Sequence, residues 1–135
     1  MTKEFAMTPE KRTKMYLTSA VMGFAGTVVA IAGDMFALPD YLRGFAFGIL
    51  LVALALLLLR RMRDEYIEQL WNAGVSLAFV AVVLAYLFAP FLEGLFDGLS
   101  AAAPRQDFVS SGWIGPLALL AFFVGFHVKW LRSAL

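Results

Sequence analysis

No cysteine occurs anywhere in the chain, and histidine occurs once, as His127. The first absence excludes disulfides, thiolate metal sites and thiol catalysis together. The second excludes bis-histidine haem ligation and histidine metal clusters. His127, two residues before Lys129, reads instead as a hydrogen-bonded or headgroup-facing side chain. There is no GxSxG, no HExxH and no phosphate-cradling glycine loop. No enzyme is expected from such a chain, and no catalytic, metal or cofactor residue is assigned. Charge is scarce as well, at 16% of residues with a net charge of +1, against about a quarter charged in an average soluble domain. So small a net charge implies no bulk attraction to nucleic acid, and no direct nucleic-acid binding is expected.

What is abundant is apolar. Of 135 residues, 61% are hydrophobic, with a mean hydropathy of +0.79. Charge is missing altogether from four blocks, 15–33, 44–59, 69–92 and 108–128. A helix needs roughly 20 apolar residues to cross about 30 Å of hydrocarbon, and three blocks reach that alone or nearly so. The short block 44–59 is extended by Tyr41, Leu42 and a snorkelling Arg43. The reading is an all-α membrane protein, a single polytopic domain over 1–135 with four transmembrane helices in an antiparallel bundle. The spans fall at roughly 15–35, 41–60, 69–92 and 111–131. No span holds an Asp, Glu, Lys or Arg in its middle, where transporters and pumps keep ionisable groups. The polar residues at depth are Thr18, Ser19, Thr27, Ser76, Tyr86 and His127, and hydroxyls there are expected to bond their own helix or a neighbour.

Thr8-Pro9-Glu10 is a helix-start signal, with a hydroxyl cap, proline at the first position and an acid in the first turn. A basic helix is expected to begin there and run into the first span. Ala30-Ile31-Ala32, after a basic leader and an apolar core, resembles a signal-peptidase site, and cleavage there would leave three spans; retention of the segment is the expectation. Pro39-Asp40 repeats the helix-start pattern for the second span. Pro90 lies late in the third block, so a kink is expected. Phe88, Phe91, Leu92, Leu95, Phe96 and Leu99 then recur at helical spacing, with Glu93 and Asp97 on the polar side. That pattern predicts an amphipathic extension on the outer surface, followed by an outer loop, the whole outer segment covering 93–110. Trp113 and Trp130 are placed to reach the two interfaces from the fourth span.

Small residues form seams along the spans: Ser19, Gly23, Gly26, Ala30 and Gly33 in the first, Gly74, Ala78, Ala81, Ala85 and Ala89 in the third, Gly115, Ala118, Ala121 and Gly125 in the fourth. Lipid tails are as apolar as leucine, so membrane helices associate where small side chains allow close approach. Packing within the chain is the expected use of these seams. The Gly44–Gly48 pair in the second span offers the alternative of a homodimer face.

One dense run of charge separates the second and third blocks: Arg60, Arg61 and Arg63, then Asp64, Glu65 and Glu68, with Tyr66 and Trp71 as aromatic neighbours. Cations suit the negative end of a finishing helix and anions the positive end of a starting one, so the turn 60–68 joins two helices and Asp64 is the expected N-cap. Ile67, Leu70, Tyr66 and Trp71 fall on one face of the helix that follows. With this turn inside, Lys3, Lys11, Arg12, Lys14, Lys129 and Arg132 are inside too, and only Arg43 and Arg105 lie outside. The positive-inside rule then puts both termini in the cytoplasm.

The run Arg61-x-x-Asp64-Glu65-Tyr66 between a second and a third span resembles small four-helix bacterial inner-membrane proteins, most of them uncharacterised. These carry an Arg-x-x-Asp-Glu-aromatic or -Met signature in that turn. The resemblance covers the hydropathy layout and about ten residues. It implies a location in the bacterial inner membrane and, through a neighbouring helix-turn-helix gene in some such families, a cytoplasmic regulator as partner. It carries over no catalytic or binding residues.

Beside that resemblance, the residues themselves predict a non-enzymatic membrane protein that works by interaction, as an accessory subunit or as the membrane partner of a cytoplasmic regulator. Its partners would be the lipid bilayer and a protein at the cytoplasmic face or within the membrane. Arg60, Arg61, Arg63, Asp64, Glu65, Tyr66, Glu68 and Trp71 are the candidate partner-binding residues. The alternative is a small dimeric channel or transporter.

Overall fold

The structure is a computed structural model, and it describes residues 7–100 and 112–135. Its elements are α1 (Pro9–Met35), α2 (Asp40–Leu58), a single 3₁₀ turn (Arg60–Met62), α3 (Glu65–Ser100) and α4 (Ile114–Ala134). The described residues are all-helical, and each of the four α-helices is long and apolar enough to cross a membrane. Even α2, at 19 residues, extends about 28 Å at a rise of 1.5 Å per residue. It gains that length by starting at Asp40 and taking in Tyr41 and Leu42. Most of the outer loop expected up to residue 110 lies outside the described residues. The chain divides into two compact units, one ending at Trp71 and the other beginning at Asn72.

In the first unit α1 begins where Thr8-Pro9-Glu10 predicts. Thr8 Oγ1 accepts from the Lys11 backbone N–H at 3.4 Å, Pro9 fills the first turn, and Glu10 pairs with Lys14 at 3.2 Å. The helix is unbroken across Ala30-Ile31-Ala32. Its buried stripe is Tyr16, Ser19, Ala20, Gly23, Gly26, Thr27, Ala30 and Gly33, which contains the whole small-residue seam. The stripe of α2 is Ala46, Leu50, Ala53 and Leu57. A Cβ on Gly26 would lie 3.1 Å from the Ala46 carbonyl oxygen, and one on Gly33 would lie 2.8 Å from Cγ of Arg43. Tyr16 reaches Leu57 at the opposite end, so α1 and α2 run antiparallel. Ser19 and Thr27 donate back to the carbonyls of Met15 and Gly23 at 2.8 and 2.9 Å, which settles their hydroxyls inside α1.

The link between α1 and α2 is a Schellman-type ending. Leu38 N–H bonds the Gly33 carbonyl at 3.1 Å, and Ala37 occupies the left-handed region at φ 50°. Arg43 folds over Gly33 to pair with Asp34, with Asp40 at 3.7 Å. Rather than snorkelling alone, it closes this end of the hairpin.

In the second unit α3 continues through Pro90 as one helix to Ser100, although proline cannot donate to the carbonyl of Tyr86. The part beyond the proline carries Phe91, Leu92, Leu95, Phe96 and Leu99, all exposed. Contact with α4 is made where side chains vanish. A Cβ on Gly74 would sit 2.7 Å from the Phe122 carbonyl oxygen, and one on Gly125 would sit 2.9 Å from that of Ala73. Phe122, Phe123 and Phe126 are the buried residues of α4.

Candidate functional site

The charged turn begins with a geometric debt at the end of α2, because a helix leaves its last carbonyls without partners along its own axis. The carbonyl of Leu57 meets two donors: the Tyr16 hydroxyl at 3.1 Å and the Arg63 guanidinium at 3.0 Å. Tyr16 is fully buried, and so is Leu57. A cation at the negative end of a helix adds a favourable charge–dipole term to that hydrogen bond. The backbone reverses in the 3₁₀ turn, where Arg63 N–H bonds the Arg60 carbonyl at 3.1 Å. Arg63 then lies over the ring of Trp71, its guanidinium carbon 4.0 Å from the centroid, a cation–π geometry.

Asp64 caps α3 as the sequence predicts. Its Oδ1 accepts from the Ile67 N–H at 2.8 Å, and its carbonyl accepts from Glu68 N–H at 2.9 Å. Its Oδ2 lies 3.4 Å from the Thr13 hydroxyl of α1. That hydroxyl has one proton and a closer acceptor, the Pro9 carbonyl at 3.1 Å, so the link to Asp64 is the weaker of the two. Ile67 and Leu70 are fully buried, whereas Tyr66, expected on the same face, is 38% exposed.

The eight candidate residues therefore separate into two groups. Arg63, Asp64 and Trp71 hold the turn together, and Arg63 and Asp64 do so with hydrogen bonds to neighbouring backbone. Arg60, Arg61, Glu65, Tyr66 and Glu68 are exposed. The structure also brings in Arg12, Thr13 and Tyr16 of α1, which sequence reasoning left out of the site. Tyr16 carried a signal, since it stands about one turn before the seam residue Ser19 and two before Gly23, and shares their stripe. A cleft of about 70 Å³ opens between the two segments, lined by Pro9, Arg12, Thr13, Arg61, Arg63 and Asp64.

Two further places were singled out by the sequence. Gly44 and Gly48 face open space, with nothing within 4 Å of an added Cβ. They line an apolar groove of about 750 Å³ along α1 and α2, with Met15, Met22, Phe45 and Val52. His127 donates from Nδ1 to the Phe123 carbonyl at 2.7 Å and lies among the rings of Phe123, Phe126 and Trp130. Among the described residues no group of three or more His, Asp and Glu side chains could hold a metal ion. Comparison with protein-family models, with curated proteins and with solved structures yields no match to this chain.

Proposed function

We propose that this chain is a bacterial inner-membrane protein with both termini in the cytoplasm, and that it acts by binding another protein rather than by catalysis. The observation that carries this reading is the division of labour in the charged turn. Arg63, Asp64 and Trp71 are occupied in building it, while Arg60, Arg61, Glu65 and Glu68 are left exposed beside them. A preformed surface with both charge signs favours a complementary partner and fixes its register, and Tyr66 supplies an aromatic anchor at its edge. The distribution of Lys and Arg supports the cytoplasmic side for this turn. An accessory subunit, or the membrane partner of a soluble regulator, is the class of function that such a surface serves.

The test uses Glu65→Gln/Glu68→Gln in the full-length chain. Neither side chain caps α3, and both substitutions leave the basic topology signal intact. Tagged parent and variant are purified from native membranes and their stoichiometric partners quantified by mass spectrometry. The variant should insert normally and lose a partner that the parent retains. A parent without any stoichiometric partner, or a variant that keeps them all, defeats the reading.

A specific observation also supports the second reading, a small dimeric channel or transporter. The open Gly44–Gly48 face beside an apolar groove would let a second copy approach closely. Four spans with so few polar linings could enclose a pathway only in pairs. A chain that stays monomeric in bilayers ends that alternative.

A further inference from the structure

The small cleft beside the charged turn holds more positive charge than the fold uses. Arg12, Arg61 and Arg63 all line it, from two segments far apart in sequence. Among the described residues no carboxylate comes within ion-pair distance of any of the three; the pairs formed are Glu10 with Lys14 and Arg43 with Asp34 and Asp40. Asp64, the one acid in the lining, is engaged through Oδ1 by the Ile67 N–H, and its Oδ2 lies 3.4 Å from the Thr13 hydroxyl. Its charge is further offset by the positive end of α3, which it caps. Three guanidinium groups against one carboxylate leave the cleft strongly positive.

Two of the arginines are fixed through part of their guanidinium groups only. Arg12 donates from Nε to the Met7 carbonyl at 3.1 Å, and Arg63 donates from Nη2 to Leu57. The Nε of Arg63 is buried and makes no hydrogen bond among the described residues. Arg61 is exposed and makes no hydrogen bond or ion pair among the described residues. Guanidinium forks match the oxygens of phosphate and hold it in fixed orientation. The cleft has room for a group several water molecules in size. It also lies just before the uncharged stretch of α1 that begins at Met15, the level at which phosphate groups stand if α1 crosses a bilayer.

We infer that this cleft is a binding site for a phosphate group, held by Arg12, Arg61 and Arg63. The inference does not rest on the protein-docking surface, whose acids Glu65 and Glu68 do not line the cleft. The phosphate can belong to an anionic lipid headgroup or to a soluble phosphate, and the two arms of one experiment separate these sources.

In the first arm the full-length chain in micelles receives phosphatidylglycerol and is followed by native mass spectrometry. In the second it receives sodium phosphate at constant ionic strength and is followed by thermal unfolding. Retention of one lipid per chain assigns the site to a headgroup. Stabilisation by sodium phosphate without lipid retention assigns it to a soluble phosphate. Arg12→Gln/Arg61→Gln should weaken whichever probe binds by tenfold or more, while Arg60→Gln/Arg132→Gln, outside the cleft, should change it by less than twofold. Because Arg61 is exposed and makes no hydrogen bond or ion pair among the described residues, Arg61→Gln alone should leave the fold intact and still cost at least threefold. The inference is overturned if neither probe binds the parent, if Arg61→Gln binds as the parent does, or if the control pair loses as much as the cleft pair, which would make the effect one of general basicity.

Discussion

Gly74 of α3 and Gly125 of α4 meet backbone to backbone: a Cβ on Gly125 would stand 3.2 Å from Cα of Gly74. Neither glycine is there for a turn. Each removes the side chain that would otherwise hold its helix away from a facing carbonyl, Phe122 for the first and Ala73 for the second. Close approach of this kind maximises dispersion contact in surroundings where apolar burial alone gives helices little reason to associate.

Substitutions at glycine should accordingly split by sign. Gly74→Ala or Gly125→Ala places a methyl group under 3 Å from a backbone oxygen and should destabilise the purified protein by about 1–3 kcal/mol through overpacking. Gly48→Ala meets nothing within 4 Å and should stabilise it by about 0.5–1 kcal/mol, the usual advantage of alanine inside a helix. Unfolding in detergent measures both. Equal effects at the two kinds of site would contradict the packing described.

How far this was legible in the sequence differs from helix to helix. The seam of α1 was complete in the sequence, because Ser19, Gly23, Gly26, Ala30 and Gly33 repeat at helical spacing and all are buried. In α2 the same reasoning drew attention to Gly44 and Gly48, yet the buried stripe is Ala46, Leu50, Ala53 and Leu57. A helix apolar all round carries no polar face to show which side is inward. At the charged turn the cap at Asp64 was legible, since a short acid before an apolar run has a definite stereochemical use. The separate duties of Arg60, Arg61 and Arg63 were not. Charge sign is local, but which guanidinium reaches Leu57 depends on how the 3₁₀ turn points it.

Ala37 offers a test of the α1–α2 link. It holds φ 50° where a helix ends in a Schellman-type bond from Leu38 to Gly33, a conformation that costs a residue with a Cβ about 1 kcal/mol relative to glycine. Ala37→Gly should therefore raise stability by about 1 kcal/mol. The measurement is the unfolding midpoint of the full chain, and a lower midpoint would show that the link is built differently.

The three arginines of the turn should also separate by stability. Arg63→Gln removes the hydrogen bond to Leu57 and the stacking on Trp71, and a loss of about 1–3 kcal/mol is expected. Arg60→Gln changes an exposed side chain and should stay within about 0.5 kcal/mol of the parent. Comparable losses at both positions would mean that bulk positive charge, and not the contact with Leu57, supports the turn.

Topology is the prediction on which the cytoplasmic reading of the turn depends. Glu65 stands at the start of α3 and Asp97 near its end, and both are exposed. The helix between them has the length and apolarity to cross a bilayer, so single cysteines at these positions should lie on opposite sides. The natural absence of cysteine makes each introduced thiol the sole target of a membrane-impermeant maleimide. In intact cells Asp97→Cys should react at once and Glu65→Cys only after the membrane is opened. The opposite order would invert the protein and place the charged turn outside. Reaction of both before opening would show that α3 does not cross, whatever its length. Removing positive charge sharpens the test, because orientation follows Lys and Arg flanking the spans more than it follows acids. Replacing Arg60 and Arg61 together with Gln should allow a fraction of molecules to invert, whereas Glu65→Gln/Glu68→Gln should leave the labelling order unchanged. If the acidic pair shifts the order and the basic pair does not, the positive-inside argument fails for this chain.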